Sequence, residues 1–318
     1  MENRYKDIVS IAIILILLPY VITLFMNGRS MGVKQPTSGH SVKVCILDKE
    51  NPKVIEVDWE DYLMGILAKE TPIDFEKEAL KSQIILIRTR LYHEVNTYIN
   101  NGGDPKAYKF QEAFWNMEKM EKQWKNQNQN GNINAYIEKL EQAVEQTEHL
   151  ILTYEGTAIH APFHQCNNGS TRNGNEVFEN TEYPYLIAKE CLADKKAKKQ
   201  KNTITFPYGE VGAGVGFADI KIEAKDTAGY AIAIQVGDHT YTGEEFRKDF
   251  HLSSSCIAFQ DYYGKLRITT QGTGHGLGMS QNTANTMAKE KQTYEEILGY
   301  FFEGVKIEEV EEIFKKLE

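Results

Sequence analysis

The feature that most constrains this chain is an uninterrupted run of 19 residues without a charge, from Ile8 to Met26. The run is long enough to cross a bilayer as one helix. It is apolar on all sides and lacks the polar face of a helix packed on a globular core. Asn27, Gly28 and Arg29 follow it and offer no cleavage site of small residues. We therefore expect an uncleaved transmembrane anchor, with the body of the protein outside the cytoplasm.

Composition and charge set the class of the remaining chain. Hydrophobic residues make up 41% and charged residues 25% of the 318 residues, which suffices for a core and a charged surface. The formal net charge of -9 argues against nucleic acid as a partner, because that partner needs a clustered basic face. We expect residues 1–26 to form the cytoplasmic start and the anchor, 27–40 a tether, and 41–318 one folded domain.

The periodicity of the domain predicts an α+β fold, in which a helical hairpin and further helices accompany antiparallel strands. Asp58 is placed to cap a first helix that Thr71-Pro72 ends, and a second helix is expected from Phe75 to about Val95. Residues 101–134 carry turn residues and many charges and indicate an insertion with at most one exposed helix. The other predicted elements are strands at 41–46, 53–57, 150–154, 157–165 and between 204 and 268, and helices at 137–147, 280–290 and 294–301.

Three separated segments carry the most specific motifs. They are Val57–Thr89 with Ala68-Lys69-Glu70-Thr71-Pro72, Ala143–Leu186 with Asn168-Gly169-Ser170-Thr171, and Gly274–Gln281 with the sequence Gly-His-Gly-Leu-Gly-Met-Ser-Gln. In these segments, and in their order, the chain resembles the stage II sporulation protein D family. The resemblance covers most of the chain after the anchor and implies that residues 41–318 are a catalytic domain.

The resemblance implies a lytic transglycosylase that cleaves peptidoglycan glycan strands already stripped of stem peptides, during engulfment in sporulation. The family's catalytic acid corresponds to Glu70. A carboxylic acid that is partly removed from water has a raised pKa and can protonate the leaving oxygen of a glycosidic bond. No second carboxylate is needed, because a hydroxyl of the sugar itself attacks the anomeric carbon and gives an anhydro product.

The same resemblance implies partners and a location. The partners are an amidase, stage II sporulation protein P, and a membrane protein, stage II sporulation protein M. The location is the cell membrane, with the C-terminal domain on the mother-cell side of the engulfment membrane.

Further residues are expected to contact the glycan. They are His275, Ser280, Gln281, Gln83 and Arg88. His275 lies in a glycine-rich turn before a helix, where small residues let a sugar approach the backbone. A plain exposed turn is the alternative for His275. Gln83 and Arg88 lie two turns or more into the second helix, and an equally good interpretation has them join helices by hydrogen bonds.

A cluster of histidine and cysteine suggests a structural zinc site. His160, His164 and Cys166 fall at even spacing in a predicted strand, so their side chains would share one face, and Cys191 is the natural fourth ligand. Some family members are expected to hold zinc in this region, whereas others lack the ligands. A disulfide between Cys166 and Cys191 is the main alternative. Cys45 is expected to be a buried thiol, and so is Cys256.

Other function classes stay open on the sequence alone. A non-catalytic glycan-binding module that positions a partner hydrolase would use the same groove without proton transfer. A zinc hydrolase built on the His160 cluster would need an open coordination position and a general base. A Cys-His dyad at Cys166 would need a group that orients the histidine.

Overall fold

The computed structural model describes residues 40–46, 52–126, 132–197, 201–311 and 313–317. The anchor expected at residues 8–26 lies outside them, and no helix within those ranges has the length and apolar character required to cross a membrane. Residues 42–318 form one compact unit. Helices and mainly antiparallel sheets make up this unit, so the α+β prediction is confirmed.

The helices and strands of the described residues have the following bounds, in chain order. The helices are α1 (Trp59–Glu70), α2 (Lys77–Asn100), α3 (Met117–Asn126), α4 (Ile133–Glu145), α5 (Gly174–Phe178), α6 (Leu192–Lys195), α7 (Tyr208–Val211), α8 (Gly243–Asp249), α9 (Gln281–Lys289) and α10 (Tyr294–Phe301). The strands are β1 (Ser41–Ile46), β2 (Lys53–Asp58), β3 (Leu150–Tyr154), β4 (Thr157–Ala158), β5 (Phe163–His164), β6 (Lys201–Pro207), β7 (Ile220–Lys225), β8 (Ala231–Val236), β9 (His239–Thr242), β10 (Ile257–Asp261), β11 (Lys265–Gln271), β12 (Met279–Ser280) and β13 (Lys306–Glu309).

Local chemistry fixes both ends of α1. The Asp58 carboxylate accepts hydrogen bonds from the backbone N–H groups of Glu60 and Asp61, at 3.0 and 3.3 Å, and so caps the first turn. Thr71 is extended and precedes Pro72, which ends the helix. Every residue from 62 to 68 is buried. The helix is therefore a core element, and Glu70 is carried at its exit.

Helix α2 joins two hydrophobic clusters. One face, with Leu80, Ile84 and Leu91, packs with α1, α3 and α4. Ile85 and Leu86 lie on another face and pack with β3, α9 and α10. Because α2 is fixed on both sides, its polar residues are held at defined positions relative to the first and third motifs.

The insertion near 101–134 is less exposed than expected. Phe110, Met120 and Trp124 are each no more than 2% exposed and belong to the cluster around α1. Phe110 also exchanges backbone hydrogen bonds with the β1 segment, between its N–H and Lys43 O and between its C=O and Cys45 N. The prediction of an exposed helix was wrong, because one side of α3 is apolar and packs on the cluster around α1. In the sequence, the apolar residues of that side are separated by charged residues.

The predicted strand at 157–165 is broken. Only β4 and β5 form, on either side of a buried Pro162, and β5 pairs in parallel with β12 immediately before α9. This short pairing joins the second motif to the third. A further cluster lies in residues 204–268, where the antiparallel sheets β10-β11-β6 and β7-β8-β9 pack with α8.

Candidate functional site

Glu70 sits at the last position of α1, with a side chain 15% exposed. Its two carboxylate oxygens accept hydrogen bonds from Nη2 of Arg90, at 3.3 and 3.2 Å. Burial raises the pKa of Glu70, the Arg90 charge opposes that rise, and the nearby Glu112 carboxylate adds to it. Burial is the largest of these effects, so the carboxyl group holds its proton to a higher pH than a glutamate in water.

Arg90 is shared between two carboxylates. The same Nη2 lies 3.2 Å from Glu70 Oε2 and 3.4 Å from Glu112 Oε2. The guanidinium also stands 5.3 Å from the centre of the Phe163 ring. Sequence reasoning missed both Arg90 and Glu112, since neither lies in a pattern that marks it out.

Gln281 connects the third motif to the first. Its Nε2 donates to the backbone oxygen of Glu70 at 2.9 Å and contacts Oε1 of Gln83 at 3.2 Å. Gln281 is the first residue of α9, directly after β12. Glu70, Gln83 and Gln281, which the sequence placed in one site, are therefore together in the structure.

A cleft of about 330 Å³ opens beside Glu70. It is lined by residues 68–73 and by Trp115, Trp124, Gln165 and Gln281. Two tryptophans from the insertion thus border the cleft, the half-buried Trp115 and the nearly fully buried Trp124, so aromatic side chains lie next to a carboxyl group. Such a mixture suits a sugar, which has apolar ring faces and polar edges.

Polar atoms without partners gather around the same carboxylate. Seven buried side-chain nitrogen or oxygen atoms in the described part of the chain have no hydrogen-bond partner. Three of the seven are Thr71 Oγ1, Gln83 Nε2 and Arg90 Nε, which belong to residues next to or linked with Glu70. Unsatisfied buried groups are costly and uncommon, so their concentration here favours a site that a ligand or water completes.

Of the five expected glycan-contacting residues, Gln281 lines this cleft and the other four do not. Arg88 is fully buried, and its guanidinium donates to the backbone oxygens of Thr147 and Leu150, at 2.6 and 3.0 Å. Its placement fits the alternative role of holding helices together, because these oxygens follow the end of α4. Ser280 has no exposed surface; it caps α9 through Thr283 N and donates to Asp194 Oδ2 at 2.7 Å.

His275 occupies the glycine-rich turn. Its Nδ1 accepts a hydrogen bond from the N–H of Leu277 at 3.1 Å, so the neutral ring carries its proton on Nε2 and can donate it to a ligand. Burial lowers the pKa of His275 to about 3, with a further contribution from His164, so the ring is neutral near pH 7. No contact between described residues joins His275 directly to Glu70.

The glycines of this turn have no substitute among L-amino acids. Gly274, Gly276 and Gly278 have φ values of 106°, 81° and 65°. A Cβ atom at Gly278 would collide with the carbonyl group of Pro162. The turn therefore keeps a shape that only glycine permits and holds β12 against β5.

The four expected zinc ligands do not assemble. Within the described residues, no group of three or more histidine, cysteine, aspartate or glutamate side chains is arranged to hold a metal ion. His160 packs against Phe178 and Tyr183, with ring centres 6.1 and 5.9 Å away. The residues do not fit zinc in this arrangement, because the break around Pro162 ends the strand that was to align them.

His164 and the cysteines have other contacts. His164 Nδ1 lies 3.0 Å from Leu277 O, and its Nε2 lies 3.1 Å from Asn167 Nδ2. Both ring nitrogens are therefore engaged. Cys166 and Cys191 are free, buried thiols, so the disulfide alternative has no bond here either. Burial raises the pKa of both thiols, which leaves Cys166 a poor nucleophile.

A buried carboxylate that the sequence did not reveal organises this region. Asp194 is fully buried and accepts four hydrogen bonds. Its oxygen Oδ2 accepts hydrogen bonds from Asn167 N and Ser280 Oγ, both at 2.7 Å. Its oxygen Oδ1 accepts hydrogen bonds from Asn282 Nδ2 at 2.9 Å and from Thr283 Oγ1 at 3.0 Å. One side chain thus ties the second motif to the start of α9.

Comparison with known proteins places these features in a family context. A protein-family model described as "Stage II sporulation protein" matches residues 48–154, which include Glu70, Arg90 and Glu112. The chain is 30% identical over 291 residues to stage II sporulation protein D of Bacillus subtilis (strain 168), covering 86% of this chain and 81% of that protein.

Two other relatives extend the comparison. The protein of the same name from Bacillus amyloliquefaciens is 29% identical over 299 residues, covering 89% of this chain and 83% of the relative. A protein named amidase enhancer, from Bacillus subtilis (strain 168), is 24% identical over 302 residues, covering 76% of this chain and 39% of the relative.

Proposed function

The chain belongs to the stage II sporulation protein D family, whose role is in sporulation, and on this premise we propose that it is a lytic transglycosylase of the cell wall. Its substrate is the peptidoglycan glycan strand after removal of stem peptides. Glu70 is the catalytic acid.

The observation that carries this proposal is the environment of Glu70. A proton donor for a glycosidic oxygen must keep its proton near neutral pH and must be open to a substrate. Burial raises the pKa of Glu70, and the 330 Å³ cleft leaves its carboxyl group accessible. Thr71, which lines the cleft and whose Oγ1 has no hydrogen-bond partner among the described residues, supplies a polar group next to the carboxyl group.

The proposed reaction proceeds in two proton transfers. Glu70 gives its proton to the oxygen of the leaving sugar while the bond to the anomeric carbon breaks. The resulting carboxylate then takes the proton from the C6 hydroxyl of the sugar that carries the anomeric carbon, and that oxygen attacks the anomeric carbon. The products are a strand with a new hydroxyl end and an anhydro sugar, and Glu70 is protonated again.

Arg90 supports the ionised half of this cycle. Its two hydrogen bonds to Glu70 favour the carboxylate over the acid. Glu112 offers Arg90 a second anionic partner at 3.4 Å. A shift of the guanidinium toward Glu112 would restore the basicity of Glu70, whereas a shift back would stabilise the carboxylate.

Mass analysis of products from purified, denuded glycan strands tests the proposal. We expect anhydro ends, because no water enters the reaction. Products with only hydrated, reducing ends would contradict it.

A second candidate follows from Glu112. Two carboxylates within 3.4 Å of one nitrogen atom are close enough to serve as the acid and base pair of a glycoside hydrolase. In that case Glu112→Gln would abolish cleavage as fully as Glu70→Gln. In the transglycosylase, Glu112→Gln should retain most of the activity.

The expected partners remain part of the proposal. A relative named amidase enhancer supports cooperation with an amidase, in the role expected for stage II sporulation protein P, with stage II sporulation protein M at the membrane. The membrane anchor at residues 8–26 would keep the domain at the site of action. If strands that still carry peptides were cleaved as fast as denuded strands, the amidase would not need to act first.

A further inference from the structure

A second cavity adjoins Arg90 through Glu112, which lines it and forms an ion pair with Arg90. It has a volume of about 530 Å³ and is built from α2 and the segment that follows it. Its lining residues are His93, Glu94, Thr97, Tyr98, Asn101, Tyr108, Lys109, Gln111 and Glu112. None of these residues was singled out by the sequence motifs.

The cavity is connected to the Glu70 site through shared residues. Glu112 lines the cavity and also binds the Arg90 nitrogen that binds Glu70. A ligand that extends from Glu70 past Arg90 therefore reaches Glu112 and enters the cavity. A polymer of sugars is a ligand of that kind.

The walls combine aromatic rings with free polar groups. Tyr98 and Tyr108 meet edge to face, with ring centres 5.1 Å apart, and Tyr108 in turn packs on the buried Phe110. Within the described residues, neither tyrosine hydroxyl has a hydrogen-bond partner, so both can serve a ligand. Rings that line the cavity and pack toward the core provide both an apolar surface and hydroxyl donors.

Glu94 supplies an acceptor without a partner. Across the described chain, no cation lies within ion-pair distance of its carboxylate and no N–H donates to it. Glu112 already shares Arg90, and Lys109 is the positive group at the exposed rim. The cavity therefore presents one unused carboxylate next to two tyrosines.

We propose that this cavity binds a further hexosamine of the same glycan strand, whose nitrogen at C2 donates a hydrogen bond to Glu94 while its ring lies against Tyr98 or Tyr108. In each sugar of such a strand, the nitrogen at C2 is a hydrogen-bond donor, either as an acetamide N–H or as a free ammonium. The inference rests on the proposed function for the identity of the strand. It adds that affinity depends on strand length, because only longer strands reach past Arg90.

Calorimetric binding to a chain with Glu70→Gln tests the subsite without any turnover. The probes are denuded glycan strands fractionated by length, from disaccharides to strands of many sugars. Adding Glu94→Gln should weaken binding of long strands by about ten-fold and leave disaccharide binding unchanged, because the sugar nitrogen then meets a neutral acceptor in place of a charged one, and only when the cavity is filled. Tyr98→Ala should act in the same direction.

Glu118→Gln is the matched control. It removes the same charge from an exposed position in the same part of the chain and outside both cavities, so strand binding should not change. Equal binding of long strands with and without Glu94→Gln would overturn the subsite, and so would an equal weakening for long strands and disaccharides. A failure of the wild-type chain to cleave strands would instead count against the transglycosylase and leave this binding result intact.

Discussion

Two carboxylates, Glu70 and Asp194, illustrate how a chemical site differs from a structural one. Among the described residues, Glu70 has Arg90 as its one ion-pair partner; it keeps part of its surface open to a cleft and has neighbours with unpartnered polar atoms. Asp194 is completely enclosed and receives four hydrogen bonds from uncharged donors. A buried acid whose bonds are complete holds segments together, whereas one whose surroundings are incomplete has capacity left for a substrate.

The largest expected effect on this comparison is loss of activity in Glu70→Gln. The amide fills the same space but cannot deliver a proton, so the rate of strand cleavage should fall by about 1,000-fold or more. The melting temperature should stay close to that of the wild type. A purified variant that retains more than a tenth of the wild-type rate would remove Glu70 from the role of acid.

Asp194→Asn should show the opposite pattern, with a large effect on stability. Each carboxylate oxygen of Asp194 faces one hydroxyl and one N–H group. Whichever way the asparagine amide turns, its NH₂ group meets an N–H donor and leaves it unsatisfied. We expect the free energy of unfolding in urea to fall by about 2–4 kcal/mol.

The exposed Asp249→Asn is the control for that measurement and should change the free energy of unfolding by less than about 0.5 kcal/mol. If the two variants were equally stable, the four hydrogen bonds of Asp194 would not organise the region.

Arg90→Gln should shift the pH dependence of cleavage. Arg90 lowers the pKa of Glu70 against the effect of burial, so its removal lets that pKa rise further. The acid form then persists to higher pH, and the alkaline limb of the kcat/KM profile should move to higher pH. Lys69→Gln, a weaker contributor, should move the limb less in the same direction. An alkaline limb that moves to lower pH would mean that another group titrates there.

The smallest expected effect concerns metal. Because no three of the four expected ligands are grouped to hold a metal ion in the described part of the chain, elemental analysis of protein purified without chelator should find no stoichiometric zinc. A chelator should leave the melting temperature unchanged. One zinc ion per chain that disappears in Cys166→Ser would restore the zinc prediction and require a rearrangement around Pro162.

The sequence predicted those features that depend on neighbouring residues better than those that depend on distant ones. Both ends of α1 were predicted, since Asp58 and Thr71-Pro72 act on their immediate neighbours. The role of Arg90 was not predicted, because Arg88 and Arg90 lie on one helix but face different sides, and only packing decides which side meets Glu70. Asp194 gave no signal at all, since its four donors come from segments at residues 167 and 280–283.

The insertion teaches the same lesson for hydrophobic patterns. Met120 and Trp124 lie one turn apart among charged residues, a spacing that an exposed helix can also show. Burial depends on the cluster around α1, which is distant in sequence. The zinc prediction failed to find support for a related reason, since even spacing aligns side chains only while a strand continues.

The turn containing Gly274, Gly276 and Gly278 limits which substitutions this part of the chain can accept. Backbone geometry, and not side-chain chemistry, defines the turn, so a saturation library should recover only glycine at position 278. Substitutions that keep the path of the backbone are therefore confined to His275 and Leu277, the two residues between the glycines.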